Sequence, residues 1–110
     1  MICNNIVVYN TNERLSDHFK CSEFVNPSTG LTLIDPKLIW MLEAIRTRTG
    51  TPLYIRYGND GNSILHYCGM AATFYSDDVN VYRLEEYALA FIPKEHVQLD
   101  GDALTIDSNY

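Results

Sequence analysis

The groups in this chain able to do chemistry are 3 histidines, 3 cysteines and 14 acidic residues. His66 and Cys68 stand two apart, a spacing that on a strand puts both side chains on one face. With His96 they would form an imidazole, thiolate and imidazole set suited to zinc. Asp77 or Asp78 could fold back toward His66 and add a carboxylate, and both also suit the ordinary role of helix cap. Glu95 is the acid adjacent to His96. Neighbours on a strand point to opposite faces, however, so only a bulge would bring Glu95 round. Ser63 precedes His66 by three residues, which is nucleophile-and-base spacing without a Gly-x-Ser-x-Gly frame.

These groups need elements to hold them. Asn4 to Tyr9 is a β-branched and aromatic run that reads as a short strand, broken at Asn10 to Asn12. Ser22 could cap a short turn, with Phe19 and Phe24 as core anchors. Asp35 as N-cap, Pro36 at the first helical position and Leu38, Ile39, Leu42 and Ile45 at helical spacing predict a helix. Gly50 stops it after Arg46 and Arg48. Leu53 to Tyr57 alternates as a strand, and Gly58-Asn59-Asp60-Gly61-Asn62 is a loop. A second helix is predicted from Val79 to Phe91, capped by Asp77 or Asp78 and ended by Pro93. Asp100-Gly101-Asp102 between His96–Leu99 and Ala103–Ile106 signals a hairpin. The sum is a single α+β domain, a small antiparallel sheet with flanking helices.

Composition narrows the function. The 110 residues fit one ordinary domain, large enough to bury a core without a staple. A net charge of -6 with no basic run excludes duplex nucleic acid and anionic membrane as partners, since both demand a positive footprint. Apolar runs are far shorter than a membrane span, and no Lys or Arg precedes the first, so no signal peptide is expected. Cys3, Cys21 and Cys68, odd in number and without a Cys-x-x-Cys pair, read as reduced thiols of a cytoplasmic protein or as buried small hydrophobes. Six of the 8 tyrosines, among them Tyr57 and Tyr67, lie between Tyr54 and Tyr87, where they suit recognition of a ligand or partner or the half-buried faces of sheet and helix.

An ordered set of segments gives a more specific indication: Ser16-Asp17-His18-Phe19 with Glu23-Phe24, Ile34-Asp35 through Leu42-Glu43-Ala44-Ile45-Arg46, Gly50-Thr51-Pro52 with Ile55, His66-x-x-Gly69-x-Ala71-Ala72, and His96-Val97. Over about residues 15 to 101 this order resembles the M15 peptidases, zinc D-alanyl-D-alanine carboxypeptidases and phage endolysin peptidases. The resemblance implies an α+β fold with zinc held by a His, an Asp seven residues later and a second His near the C-terminus, which would fall on His66 and His96. Three departures stand out. Thr73 occupies the Asp position, and a neutral hydroxyl is a poor zinc ligand. Asp60 falls where the family's arginine clamps the substrate carboxylate. The family's closing His-x-Asp reads His96-Val97-Gln98, with the acid position before it held by Pro93 and Lys94.

Metal, clamp and base act as a unit, so their joint loss predicts a catalytically decayed domain kept as a binding or interaction module. Its expected partners are a peptide, a peptidoglycan fragment, a small-molecule ligand or a host protein. Site residues on this expectation are His66, His96, Asp77 and Cys68 for metal, Glu95 for catalysis, and Tyr57, Asp60, Tyr67 and Thr73 for binding. Two alternatives stay open. One is an active zinc peptidase cleaving D-amino-acid bonds of the cell wall, with Asp77, Asp78 or Cys68 completing the metal site. The other is a phage protein, cytoplasmic or released by lysis, that sequesters a host metabolite.

Overall fold

A computed structural model describes residues 6–9 and 13–110. Six strands and three α-helices follow one another as β1 (Val7–Tyr9), β2 (Thr32–Ile34), α1 (Pro36–Thr49), β3 (Tyr54–Tyr57), α2 (Ile64–Tyr67), β4 (Ala71–Tyr75), α3 (Val81–Leu89), β5 (Val97–Asp100) and β6 (Ala103–Asp107). Strands β1 and β2 form an antiparallel ribbon, and the other four an antiparallel sheet in the order β3-β4-β6-β5. The α+β class and antiparallel sheet are as expected. Cys3 and the break at Asn10 to Asn12 lie outside the described residues.

Helix α1 forms where its end signals place it. The Asp35 side chain accepts from the Lys37 N–H at 3.1 Å, Pro36 spends no needed donor, and Gly50 at φ 69° turns the chain out of the helix. Its buried stripe, Leu38, Met41, Leu42 and Ile45, meets Ala72, Phe74, Leu104 and Ile106 in one core with Phe19 and Phe24. Those four sheet residues alternate along β4 and β6, so the sheet gives this face to the core and the opposite face to Thr73, Tyr75, Thr105 and Asp107. Strand pairing lines up Tyr57, Thr73, Thr105 and Gln98 as a row across that second face.

Four local expectations are corrected, and one strand is found where no element was assigned. His66 and Cys68 are not on a strand: Ser63 caps a short helix that contains His66, and Cys68 is its C-cap. The sequence Ala71 to Tyr75 is the interior strand β4, with four of its five residues buried. Helix α3 begins later than expected, because the Asn80 side chain accepts from the Arg83 N–H at 3.0 Å and takes the cap from Asp77 and Asp78. It ends at Leu89, and Pro93 instead opens a 3-10 turn over Lys94–His96, which holds Glu95 and His96 off any strand. Likewise Ser22 lies inside a 3-10 turn whose leading N–H, that of Lys20, is satisfied by Glu23 at 2.7 Å. Among the described residues no helix is long and apolar enough to cross a membrane.

Candidate functional site

The His66 ring lies on the polar face of the sheet, between α2 and β4. Gly69 makes this possible. At φ 85° it reverses the chain from α2 into β4, and a Cβ there would stand 2.1 Å from the carbonyl oxygen of Leu33. Gly61 does similar work on the other side, since a Cβ at 61 would lie 2.5 Å from Cγ of His66. The segment between them is pinned by Asn59, whose buried side chain accepts from the Leu33 N–H at 2.6 Å and donates to the carbonyls of Leu33 at 2.9 Å and His66 at 3.2 Å. One amide thus joins the β1–β2 ribbon to α2.

Both ring nitrogens of His66 are engaged. Nδ1 is 2.7 Å from Ser63 Oγ, and Nε2 is 2.9 Å from Thr73 Oγ1, which is in turn 2.7 Å from Thr105 Oγ1. Ser63 Oγ also accepts the His66 backbone N–H at 3.1 Å, so one hydroxyl serves both the ring and the backbone of the same residue. A hydrogen-bonded chain thus runs from Ser63 through His66 to Thr73 and Thr105. Burial pushes the His66 pKa below its ordinary value, against the opposing fields of Asp100, Asp60 and Asp107. The imidazole is therefore neutral at pH 7.

Around this chain opens a cleft of about 510 Å³, lined by Tyr57, Asp60, Gly61, Asn62, Ser63, His66, Thr73 and Asp100. This volume falls within the range of small-ligand sites. Of the expected binding residues, Tyr57, Asp60 and Thr73 meet there, while Tyr67 lines a separate hollow of about 70 Å³ beside Leu31 and Asn59.

The expected metal set is scattered. Asp77 is exposed in the bend after β4, and Cys68 directs its thiol toward the Leu65 carbonyl at 3.7 Å. Among the described residues no three His, Cys, Asp or Glu side chains converge to hold an ion. His96 belongs to another cluster: its Nδ1 is 2.6 Å from Asp107 Oδ1, its ring lies against Tyr110 with centroids 4.8 Å apart, and the Lys37 ammonium sits 3.5 Å from the Tyr110 ring centroid. Glu95 is exposed beside it.

His18 serves as a tie between its own segment and α1. Glu43 of α1 accepts from Ser16 Oγ, from the His18 N–H at 2.8 Å and from His18 Nδ1 at 2.7 Å. Burial works to raise the Glu43 pKa, but these donors outweigh it and hold the carboxyl below its usual range.

Sequence reasoning missed Asn59, Gly61, Asp100 and Thr105 as site residues. For Thr105 and Asp100 a signal existed, because the Asp-Gly hairpin register sets Thr105 opposite Gln98 and gives Asp100 the same face. For Asn59 none did. Comparison with protein-family models, curated proteins and solved structures finds no match.

Proposed function

We propose that this chain is a decayed M15-peptidase-like domain that binds a peptide or peptidoglycan fragment without cleaving it. The observation that carries this reading is the contact between His66 and Thr73, 2.9 Å apart, with Thr105 a further 2.7 Å on. His66 and Thr73 are the positions where the resemblance wants the first ligand and its partner seven residues later. Thr105-Ile106-Asp107 ends in an acid, as the family's closing His-x-Asp does, and in this alignment Thr105 replaces His96 as the third position.

Zinc does not fit that trio. One imidazole and two neutral hydroxyls are a weak donor set beside the carboxylate, imidazole and thiolate ligands the ion prefers. The trio instead satisfies itself by hydrogen bonds, which holds the cleft floor rigid and uncharged while Tyr57, Asp60 and Asp100 remain on its walls for a ligand. Nucleophilic use of Ser63 is disfavoured by its capping bond, which ties its oxygen to the start of α2.

Restoring the ligand types tests the reading. The double variant Thr73→Asp/Thr105→His is expected to take up one equivalent of zinc by elemental analysis after dialysis, and to lose it when His66→Ala is added. Wild-type protein under the same dialysis is expected to retain less than about a tenth of an equivalent. Stoichiometric zinc on the wild type, abolished by His66→Ala, would overturn the proposal, and so would a double variant that folds yet gains no zinc.

A further inference from the structure

The cleft above the sheet carries two carboxylates and no cationic side chain, and the two come from opposite sides of its floor. Asp60 follows β3 at one edge of the sheet, while Asp100 ends β5 at the other. Asp60 spends Oδ1 on the Gly58 N–H at 2.9 Å, which leaves Oδ2 open. Asp100 makes no side-chain hydrogen bond or ion pair among the described residues. Arg56, which shares a neighbouring hollow with Asp60, is taken up by both oxygens of Asp102, at 2.6 and 3.3 Å. The aromatic group on the wall is Tyr57, which is 44% exposed and stands next to Thr73 in the sheet row.

From this geometry we infer that the cleft takes a ligand bearing a primary ammonium on an apolar stem, such as a lysyl side chain of a peptide. The stem lies against Tyr57 and the ammonium pairs with Asp60 or Asp100. Such a group is favoured twice, by contact of its apolar stem with the ring and by the ion pair of its ammonium with a carboxylate. The floor adds no opposing charge, because burial keeps His66 neutral. An anionic ligand would meet two carboxylates with no counter-charge, so selectivity for the cation is built in by repulsion as well as attraction. This inference rests on the binding-module reading given above.

The test is a titration of the full chain, followed through the backbone amide resonances of Gly61, Asn62 and Asp100, with three blocked tripeptides: Ala-Lys-Ala, Ala-norleucine-Ala and Ala-Glu-Ala. The lysine peptide is expected to saturate these shifts, with norleucine at least about fivefold weaker and glutamate weaker still. Asp60→Asn and Asp100→Asn, both exposed substitutions, are each expected to weaken the lysine peptide by about threefold, the scale of an exposed ion pair. Raising the salt concentration should weaken it further. Norleucine or glutamate peptide bound at the same amides as tightly as lysine would overturn the ammonium inference and leave the binding module standing. If no peptide moves these amides, the binding module falls as well.

Discussion

His66 and His96 sit on the same face of one sheet, yet their surroundings oppose each other. His66 is buried among hydroxyls, with Ser63 and Thr73 on its two nitrogens and a pKa pushed down by burial. His96 is partly exposed, with the Asp107 carboxylate at 2.6 Å and Tyr110 against its ring. The first arrangement freezes a neutral ring into the floor of a cleft. The second is a charge-assisted link between a 3-10 turn and the end of β6. A histidine's chemistry here is set by its partners, and in this molecule the carboxylate accompanies the histidine outside the cleft.

The contrast can be broken most severely at Asn59. Asn59→Ala removes three hydrogen bonds, taking the Asn59 partner from both the N–H and the C=O of Leu33 and leaving the carbonyl of His66 to the Gly69 N–H at 3.1 Å. It is expected to cost about 3 kcal/mol in urea denaturation, with loss of the His66 ring shifts and retention of those of His96. An effect confined to the His96 cluster would refute the role given to Asn59. Next comes Gly61→Ala, where a Cβ would drive into the His66 ring. A loss of about 2 kcal/mol is expected, the scale of overpacking, and unchanged stability with an unmoved ring would show the contact to be slack. Thr73→Val keeps the shape but leaves His66 Nε2 without its hydroxyl partner, for an expected loss of about 1 to 2 kcal/mol.

Acidification sharpens the comparison further. A His whose pKa is lower folded than unfolded stabilises the fold fully above its unfolded value, near 6.5, and loses that contribution as pH falls from there toward the folded value. The urea midpoint should therefore drop on going from pH 7 to pH 5, and His66→Gln should flatten the drop. An identical slope in His66→Gln would assign it to other groups. The smallest effect belongs to His96→Gln, about 1 kcal/mol from a half-exposed hydrogen bond, with no change in the cleft resonances.

Glu43 and Asn59 show how differently the two parts of the molecule could be read in advance. Ser16, His18 and Glu43 fall in segments picked out by order along the chain, and the structure joins them through one carboxylate. Asn59, by contrast, lies in a run of Gly, Asn and Asp that reads only as loop. Its three partners are in β2 and α2, 26 and 7 residues away. The strand at Ala71 to Tyr75 was equally hard to read, since a buried interior strand loses the alternation that marks a half-exposed one.

By itself the sequence determined what short-range forces decide. Asp35, Pro36 and Gly50 bound α1 because caps act within one helical turn, and Gly101 at φ 64° turns the β5–β6 hairpin because few other residues accept that angle. Only the tertiary structure decided which histidine would face Thr73. That choice depends on the pairing of β4 with β6 and on the backbone approach allowed at Gly61 and Gly69, contacts between residues far apart in the chain whose strength comes from burial.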